Sequence, residues 1–394
     1  MWVYLSLPLL APAGAAAAHR LNPRGRAAVY GLVGVFLIVA IGFRFHVGCD
    51  WNPYLLLFVR SQGASLAEAL TMNSPGYMLV NWLAAQAGLS IAAVNTFCAI
   101  VLVSGLLAFC SDQSKPWLAL LICIPVLILL AGFSATRQAT ALGFLLWALH
   151  LHLTQRGTAA ILASLMVGAT FHATLLLMVP LVLLMRRDVP ARANLILMLA
   201  GLVGLGGAVF GSLVPPFSTL IALYPSSAGA WFRAVPTLLA LIAYAVVRRR
   251  VEMPARESSM LFWLAAFSLF YLPLGLASTT IMDRLGWFAI PFQAAALARL
   301  AGLARSPVEG VALGSAVSAP FVLLVLGWLN LGAMTSCLIP YQSYLTRPRL
   351  LLGDDSARTY KYNDATDPWE TIYPPAGKRA IEDSDKVVHP GPDS

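Results

Sequence analysis

The sequence predicts an all-α polytopic membrane protein of about 12 transmembrane helices, with one juxtamembrane helix on the outer side and a disordered C-terminal tail. Three observations carry this. Of 394 residues, 59% are hydrophobic and 11% are charged, against about 25% charged in a soluble domain. The apolar residues run in stretches of helix length. The basic residues, which leave a net charge of +9, fall in short clusters between those stretches, as the positive-inside rule predicts. They form no basic face, so nucleic acid is excluded as a partner.

The spans are expected at residues 1–18, 27–43, 91–110, 117–133, 138–153, 158–171, 173–185, 193–214, 234–247, 258–277, 285–304 and 309–333. Backbone inside hydrocarbon must satisfy its own hydrogen bonds, so each is a helix. The first ends in small residues at 15–18 that resemble a signal-peptide cleavage site. It has no Lys or Arg before its apolar run and is read as a retained span.

Charge sets the orientation. Arg20, Arg24 and Arg26, then Lys115, Arg156, the cluster Arg186, Arg187 and Arg192, then Arg248, Arg249, Arg250 and Arg256, and Arg305 are expected in the cytoplasm. Between Arg26 and Lys115 the chain then crosses an even number of times. Spans 27–43 and 91–110 suffice, so the apolar stretch 75–88 must return to its own side as an interfacial helix. The 158–185 stretch would make one helix of roughly 42 Å, longer than the hydrocarbon core of about 30 Å. Two short helices meeting near Phe171 and His172 fit better. This puts Arg44, Asp50, Arg60, Glu68, Arg137, His172, Arg233, Asp283, Arg284 and everything after residue 334 on the outer side.

Residues 1–345 form the transmembrane domain. Residues 346–394 are polar, rich in Asp, Pro, Lys and Arg, and bury no core; the stretch 341–349 can dock across the bundle mouth. The five cysteines have no metal-ligand spacing. Cys98, Cys110 and Cys123 read as small core residues. Cys49 and Cys337 face an oxidising side and are expected to stay unpaired.

Ionisable groups at membrane depth are costly and need a reason. Each of these has a structural reading. Arg44 can snorkel from the end of a span. Asp50 can be a turn residue or a helix cap. His172 can be a core residue, Asp283 and Arg284 a local ion pair, Glu68 a solvated residue and Arg233 structural. Arg137 is harder to set aside, because it stands in the tight turn of an otherwise uncharged hairpin. Taken together, one outer carboxylate near several arginines, a histidine and several tyrosines makes an anion-binding cavity with an acid/base candidate. Arginine binds phosphate bidentately and keeps its charge. A carboxylate accepts a proton from an attacking sugar hydroxyl, and arginines stabilise the charge growing on a departing pyrophosphate. That is the chemistry of a lipid-linked glycosyltransferase. No glycine-rich phosphate loop, HExxH or GxSxG motif occurs, which leaves cytosolic nucleotide chemistry unsupported.

Three blocks stand in order along the chain: Arg44-x-x-x-Gly48-x-Asp50-x-x-x-Tyr54, then Ser74-Pro75-Gly76-Tyr77 with its apolar helix, then Arg137-Gln138 followed by Phe171-His172. In these blocks the chain resembles the EpsG family of exopolysaccharide biosynthesis membrane proteins, related to Wzy-type polymerases. Asp283-Arg284 and Pro340-Tyr341 match more weakly. Relatives commonly carry an acid where this chain has Ser74, which leaves Asp50 as the base. The layout also resembles the GT-C class of glycosyltransferases.

The resemblance implies a polymerase of undecaprenyl-pyrophosphate-linked oligosaccharide repeats on the outer face of the bacterial inner membrane. Asp50, Arg137 and His172 are its candidate catalytic residues. Arg44, Tyr54, Tyr77, Gln138, Asp283, Arg284 and Tyr341 are its candidate substrate-binding residues. No cofactor is expected, a divalent metal being possible but not favoured. Expected partners are the lipid-linked oligosaccharide, membrane lipid, and a chain-length regulator and flippase of the same pathway. The competing readings are another lipid-linked transferase such as an O-antigen-type ligase, a flippase, and a nonenzymatic assembly partner working through the tail. A transporter would place charges near the midplane and often shows internal repeats; here the charges lie at the outer ends and no repeat is seen.

Overall fold

The computed structural model describes residues 2–72, 74–186, 226–227, 229–276, 278–331 and 335–346. The expected span 193–214, Asn73, Arg187, Arg192 and the tail from residue 347 lie outside them. Every regular element among the described residues is helical.

Two helices open the bundle, α1 (Trp2–Ala18) and α2 (Pro23–Gly42). Asn22 caps α2, its side chain accepting from the Gly25 amide, and Pro23 fills the first position, where no amide donor is needed. An outer layer follows: α3 (Trp51–Gln62), α4 (Leu66–Thr71) and α5 (Pro75–Gln86). Ser65 and Glu68 form a capping box on α4. The α5 helix would extend about 18 Å, too short for a hydrocarbon core of about 30 Å, as the parity of the basic clusters required.

The chain re-enters the bundle as α6 (Ile91–Ser111) and returns as α7 (Pro116–Cys123), which continues into a π-helix, Ile124–Gly132. Pro125 has no amide for a regular helical bond, and the turns widen there. Every residue of that π-helix is buried. Next come α8 (Thr136–Leu153) and α9 (Thr158–Phe171), then a 3₁₀ turn, Ala173–Leu177, leading into α10 (Met178–Leu184). Arg186 donates to the Arg156 carbonyl at 2.9 Å, so 158–185 goes out and back as a hairpin.

The second half holds α11 (Ala230–Arg250), α12 (Ala255–Tyr271) with a 3₁₀ turn at Leu272–Leu276, and α13 (Thr279–Gly286). A 3₁₀ turn at Trp287–Ala289 enters α14 (Ile290–Ala301), and α15 (Pro307–Leu331), α16 (Thr335–Leu338) and a 3₁₀ turn at Tyr344–Thr346 complete it. The helices α3, α4 and α13 were not expected.

Among the described residues, five helices are long and apolar enough to cross a membrane: α2, α6, α11, α12 with its 3₁₀ turn, and α15. Four shorter apolar segments accompany them, Val3–Ala18, Pro116–Gly132, Thr158–Phe171 and Ala173–Leu184. The chain is a multi-pass membrane protein. Helix α1 is built into the bundle: Tyr4 and Leu7 are fully buried, and the Tyr4 hydroxyl donates to the Leu338 carbonyl at 2.5 Å.

Small residues bring the central helices together. A Cβ on Gly105 would lie 2.2 Å from the Gly143 carbonyl oxygen, and one on Gly143 would lie 2.7 Å from the Leu102 Cα. Helices α6 and α8 therefore meet backbone to backbone, the close approach that small residues permit in bilayers. Polar groups sort to the two ends. One end gathers the His150–Asp112 pair at 2.7 Å, the Arg299–Glu257 pair and His152 on the Arg256 carbonyl. The other end carries the candidate site, over a second aromatic cluster built from Phe45, Trp51, Tyr54, Tyr77, Phe171 and Tyr344.

Candidate functional site

The loop between α2 and α3 carries Arg44 and Asp50. Arg44 turns inward and is 1% exposed. Its guanidinium donates to the Ile41 carbonyl at 2.9 Å, the Val47 carbonyl at 3.2 Å and the Thr136 hydroxyl at 2.7 Å. The Ile41 bond satisfies one of the carbonyls that the end of α2 leaves open. Arg44 thus ties α2, its own loop and α8 together, and it does not snorkel.

Gly48 has a φ of +108°, and a Cβ there would come within 1.9 Å of the Phe133 carbonyl oxygen. The loop passes against the end of the π-helix at a distance that only glycine allows. The Cys49 amide donates to the Ser134 hydroxyl at 3.2 Å. Cys49 and Cys337 form a disulfide, against the expectation that they stay unpaired. The sequence did carry one signal for it: they are the two cysteines outside the apolar runs.

Asp50 is half-buried and stands at the start of α3 without a side-chain capping bond. Burial holds its carboxyl above the ordinary carboxylate range, against the opposing pull of the Arg284, Arg137 and Arg44 charges. Arg137, in the first turn of α8, donates to the Ser74 hydroxyl at 3.2 Å. Its guanidinium lies over the Tyr54 ring, 5.7 Å from the centroid, and its amide donates to the Tyr54 hydroxyl at 3.3 Å. Tyr54 packs against Tyr77, ring centroids 5.4 Å apart. Tyr77 is fully buried, so it lies beneath the site and offers no stacking face.

Arg284 and Gln138 close the other side. The Gln138 side-chain Nε2 donates to the Arg284 backbone carbonyl at 3.1 Å, and the Arg284 guanidinium donates to Gln138 Oε1 at 3.4 Å. The exposed guanidinium of Arg284 lies 4.8 Å from the Trp287 ring centroid. His172 occupies the break after α9, with its Nδ1 2.8 Å from the Thr174 hydroxyl. Burial, with the Arg137 and Arg284 charges, lowers its pKa to about 3, so the ring is neutral near pH 7.

Asp50, Arg137, His172 and Arg284 thus share one electrostatic neighbourhood, with Tyr54, Ser74 and Gln138 in contact with it. Asp283 and Tyr341 lie apart from it. Asp283 does not pair with Arg284: both its oxygens receive Arg233, at 2.6 and 2.9 Å, and Ser227 donates to it at 3.0 Å. The Tyr341 hydroxyl donates to the Ala40 carbonyl at 2.9 Å. Thr136 stands beside Arg137 and Gln138 in the outer polar group, whereas Ser134 and Ser227 were not anticipated, because isolated hydroxyl residues give no periodic signal that would have found them. Among the described residues, no group of three or more His, Cys, Asp or Glu side chains is arranged to hold a metal ion.

A family profile described as the EpsG family matches residues 27–343. No curated protein and no solved structure matches the chain.

Proposed function

Since the chain belongs to the EpsG family, and is therefore an exopolysaccharide-related membrane protein, we propose that it polymerises undecaprenyl-pyrophosphate-linked oligosaccharide repeats on the outer face of the bacterial inner membrane. In this reading about 12 spans form its transmembrane domain, residues 1–345, and residues 346–394 form a polar tail. In the reaction a sugar hydroxyl of one repeat attacks the anomeric carbon of the other. The new C–O bond forms as the bond to the pyrophosphate breaks. Asp50 takes the hydroxyl proton. Arg137 and Arg284 receive the charge that grows on the leaving pyrophosphate. Neutral His172 and Gln138 orient sugar hydroxyls by hydrogen bonding. Arg44, Tyr77 and Tyr341 hold the frame, and no step requires a metal ion.

The observation that carries this reading is the Asp50 carboxylate under the combined charge of Arg137 and Arg284, at one end of an apolar bundle. An anion with a lipid tail arrives at that depth from within the bilayer. The test replaces Asp50→Asn or Arg137→Ala at matched protein levels. Polymer should disappear while lipid-linked single repeats accumulate. Polymer of unchanged length in both variants would refute the proposal. Radiolabelled repeats in sealed vesicles separate this from transport, since a flippase changes their side and a polymerase their length. Activity should survive EDTA, and a loss restored by Mg²⁺ would overturn metal independence.

A further inference from the structure

The loop that carries Asp50 is held in place from outside itself. Residues 43–50 belong to no helix. Their backbone is paired instead with a strap, residues 335–346, that follows the last long helix. The Phe45 amide donates to the Gln342 carbonyl at 3.0 Å, the Tyr344 amide to the Phe43 carbonyl at 2.8 Å, and the Gly48 amide to the Cys337 carbonyl at 2.9 Å. The Ser343 hydroxyl adds a bond to the Phe43 carbonyl at 2.9 Å. Arg44 and Ser343 form an antiparallel bridge, and Tyr344 packs edge-on against Phe45 with ring centroids 5.0 Å apart. The covalent link in this seam is Cys49–Cys337, one residue from the carboxylate.

We infer that the strap is a positioning device for Asp50, and that the Cys49–Cys337 disulfide must be closed for the site to work. The inference rests on the reading of Asp50 as the base. Asp50 has no capping bond of its own to fix it, so its place depends on the loop and the loop's on the strap. Tyr344 and Leu338 anchor the strap by burial, but beside Cys49 its hold on the loop is the Gly48 amide on the Cys337 carbonyl, a hydrogen bond of about 1 kcal/mol net, and this end of the loop frays when its covalent tie is opened. Cys49 is exposed and therefore open to a soluble dithiol. Cys98, Cys110 and Cys123 are buried and remain as they are. In reduction a dithiol attacks the disulfide, the S–S bond breaks, the dithiol leaves as its own cyclic disulfide, and its two protons and two electrons remain on Cys49 and Cys337 as thiols. Fraying then hydrates Asp50, whose carboxyl faces Arg284, Arg137, Arg44 and Tyr54, and removes the burial that raises its pKa.

The test uses the full chain in reconstituted vesicles supplied with lipid-linked repeats. It compares the untreated protein, the same protein after dithiothreitol, the dithiothreitol-treated protein reoxidised with oxidised glutathione, and the Cys49→Ser/Cys337→Ser double variant. Alkylation mass shifts report the disulfide, and thermal unfolding reports the fold. Reduction should lower kcat at least about tenfold with little change in KM, and shift the acid limb of the pH–rate profile to lower pH. Reoxidation should restore both, and the double variant should be slow and insensitive to the dithiol. A reduced chain, verified as free thiols, that polymerises at the untreated rate with an unmoved acid limb overturns the inference. Asp50→Asn is the control that separates the two readings. If it polymerises normally, the assignment of the base fails. If it is inactive while the reduced chain is fully active, only the strap inference fails.

Discussion

Arg137 is held at its outer end by Ser74, whose hydroxyl accepts from the guanidinium at 3.2 Å. Ser74 stands in left-handed backbone, with a φ of 64°. A serine in the capping position just before a helix usually turns its hydroxyl back onto the helix amides, yet this one makes no capping bond to α5. Non-glycine residues held in this region carry strain and concentrate at functional sites. Here the strained residue bonds the cation proposed to receive the pyrophosphate.

Ser74→Gly should therefore lower the polymerisation rate roughly tenfold, from the loss of a charge-assisted bond of about 1.5 kcal/mol. Thermal stability should stay constant or rise, because glycine accepts this backbone without strain. Rate and melting temperature measured on one preparation check this. An unchanged rate would show that the hydroxyl does not matter.

The pH dependence follows from two shifts of opposite sign. Asp50 acts as a base only when ionised, so activity is present above its pKa and lost as pH falls through it. Burial raises that pKa and the three arginines oppose the rise, which places the acid limb above the usual carboxylate range. Arg284→Ala removes one opposing charge and should move the limb to still higher pH, read as initial rate against pH at saturating repeat. The pKa of His172, about 3, keeps that ring neutral from pH 5 to 8. His172→Gln should lower the rate at every pH and leave the shape of the profile unchanged.

Gly48→Ala tests the loop. The added methyl carbon would lie 1.9 Å from the Phe133 carbonyl oxygen at a φ of +108°. Both the clash and the backbone strain act against it, so stability should fall by at least about 2 kcal/mol. Free thiols at Cys49 and Cys337 should appear with it. Thermal unfolding in detergent and thiol alkylation measure the two effects.

The Arg233–Asp283 pair is buried on both sides, at 10% and 8% side-chain exposure. Asp283→Ala should cost about 3–5 kcal/mol, because Arg233 is left as a buried charge deprived of this partner. The double replacement Arg233→Leu/Asp283→Leu should recover most of that loss, which a comparison of melting temperatures reports. A single variant as stable as the parent would show that the pair contributes nothing to the fold.

Much of the architecture can be read from hydropathy and charge. The basic clusters alone required a short helix near residue 75 and a break near His172, and both are present as α5 and the hairpin of α9 and α10. Parity also put Asp50, Arg137, His172 and Arg284 on one side before any contact was known. What could not be read depended on the direction a side chain takes. Asp283 and Arg284 are adjacent on a helix, and adjacent helical residues do not face each other, so one turns to Arg233 and the other to Gln138. Arg44 is drawn inward by the open carbonyls at the end of α2, which no hydropathy pattern reports. The pairing of Cys49 with Cys337, 288 positions apart, depends on where the strap lands. The helices α3, α4 and α13 are short and partly polar, and they escaped a search tuned to long apolar runs.

The Tyr4 hydroxyl has its acceptor on Leu338, 334 positions later in the chain. A ribosome adding about 10 residues per second takes roughly half a minute to bring that acceptor out. During synthesis the mouth of the bundle therefore lacks its closing segment, and a prematurely terminated product would lack it for good. A residue beyond α15 thus completes the packing of α1, so the end of the bundle that carries the candidate site matures only after translation has passed α15.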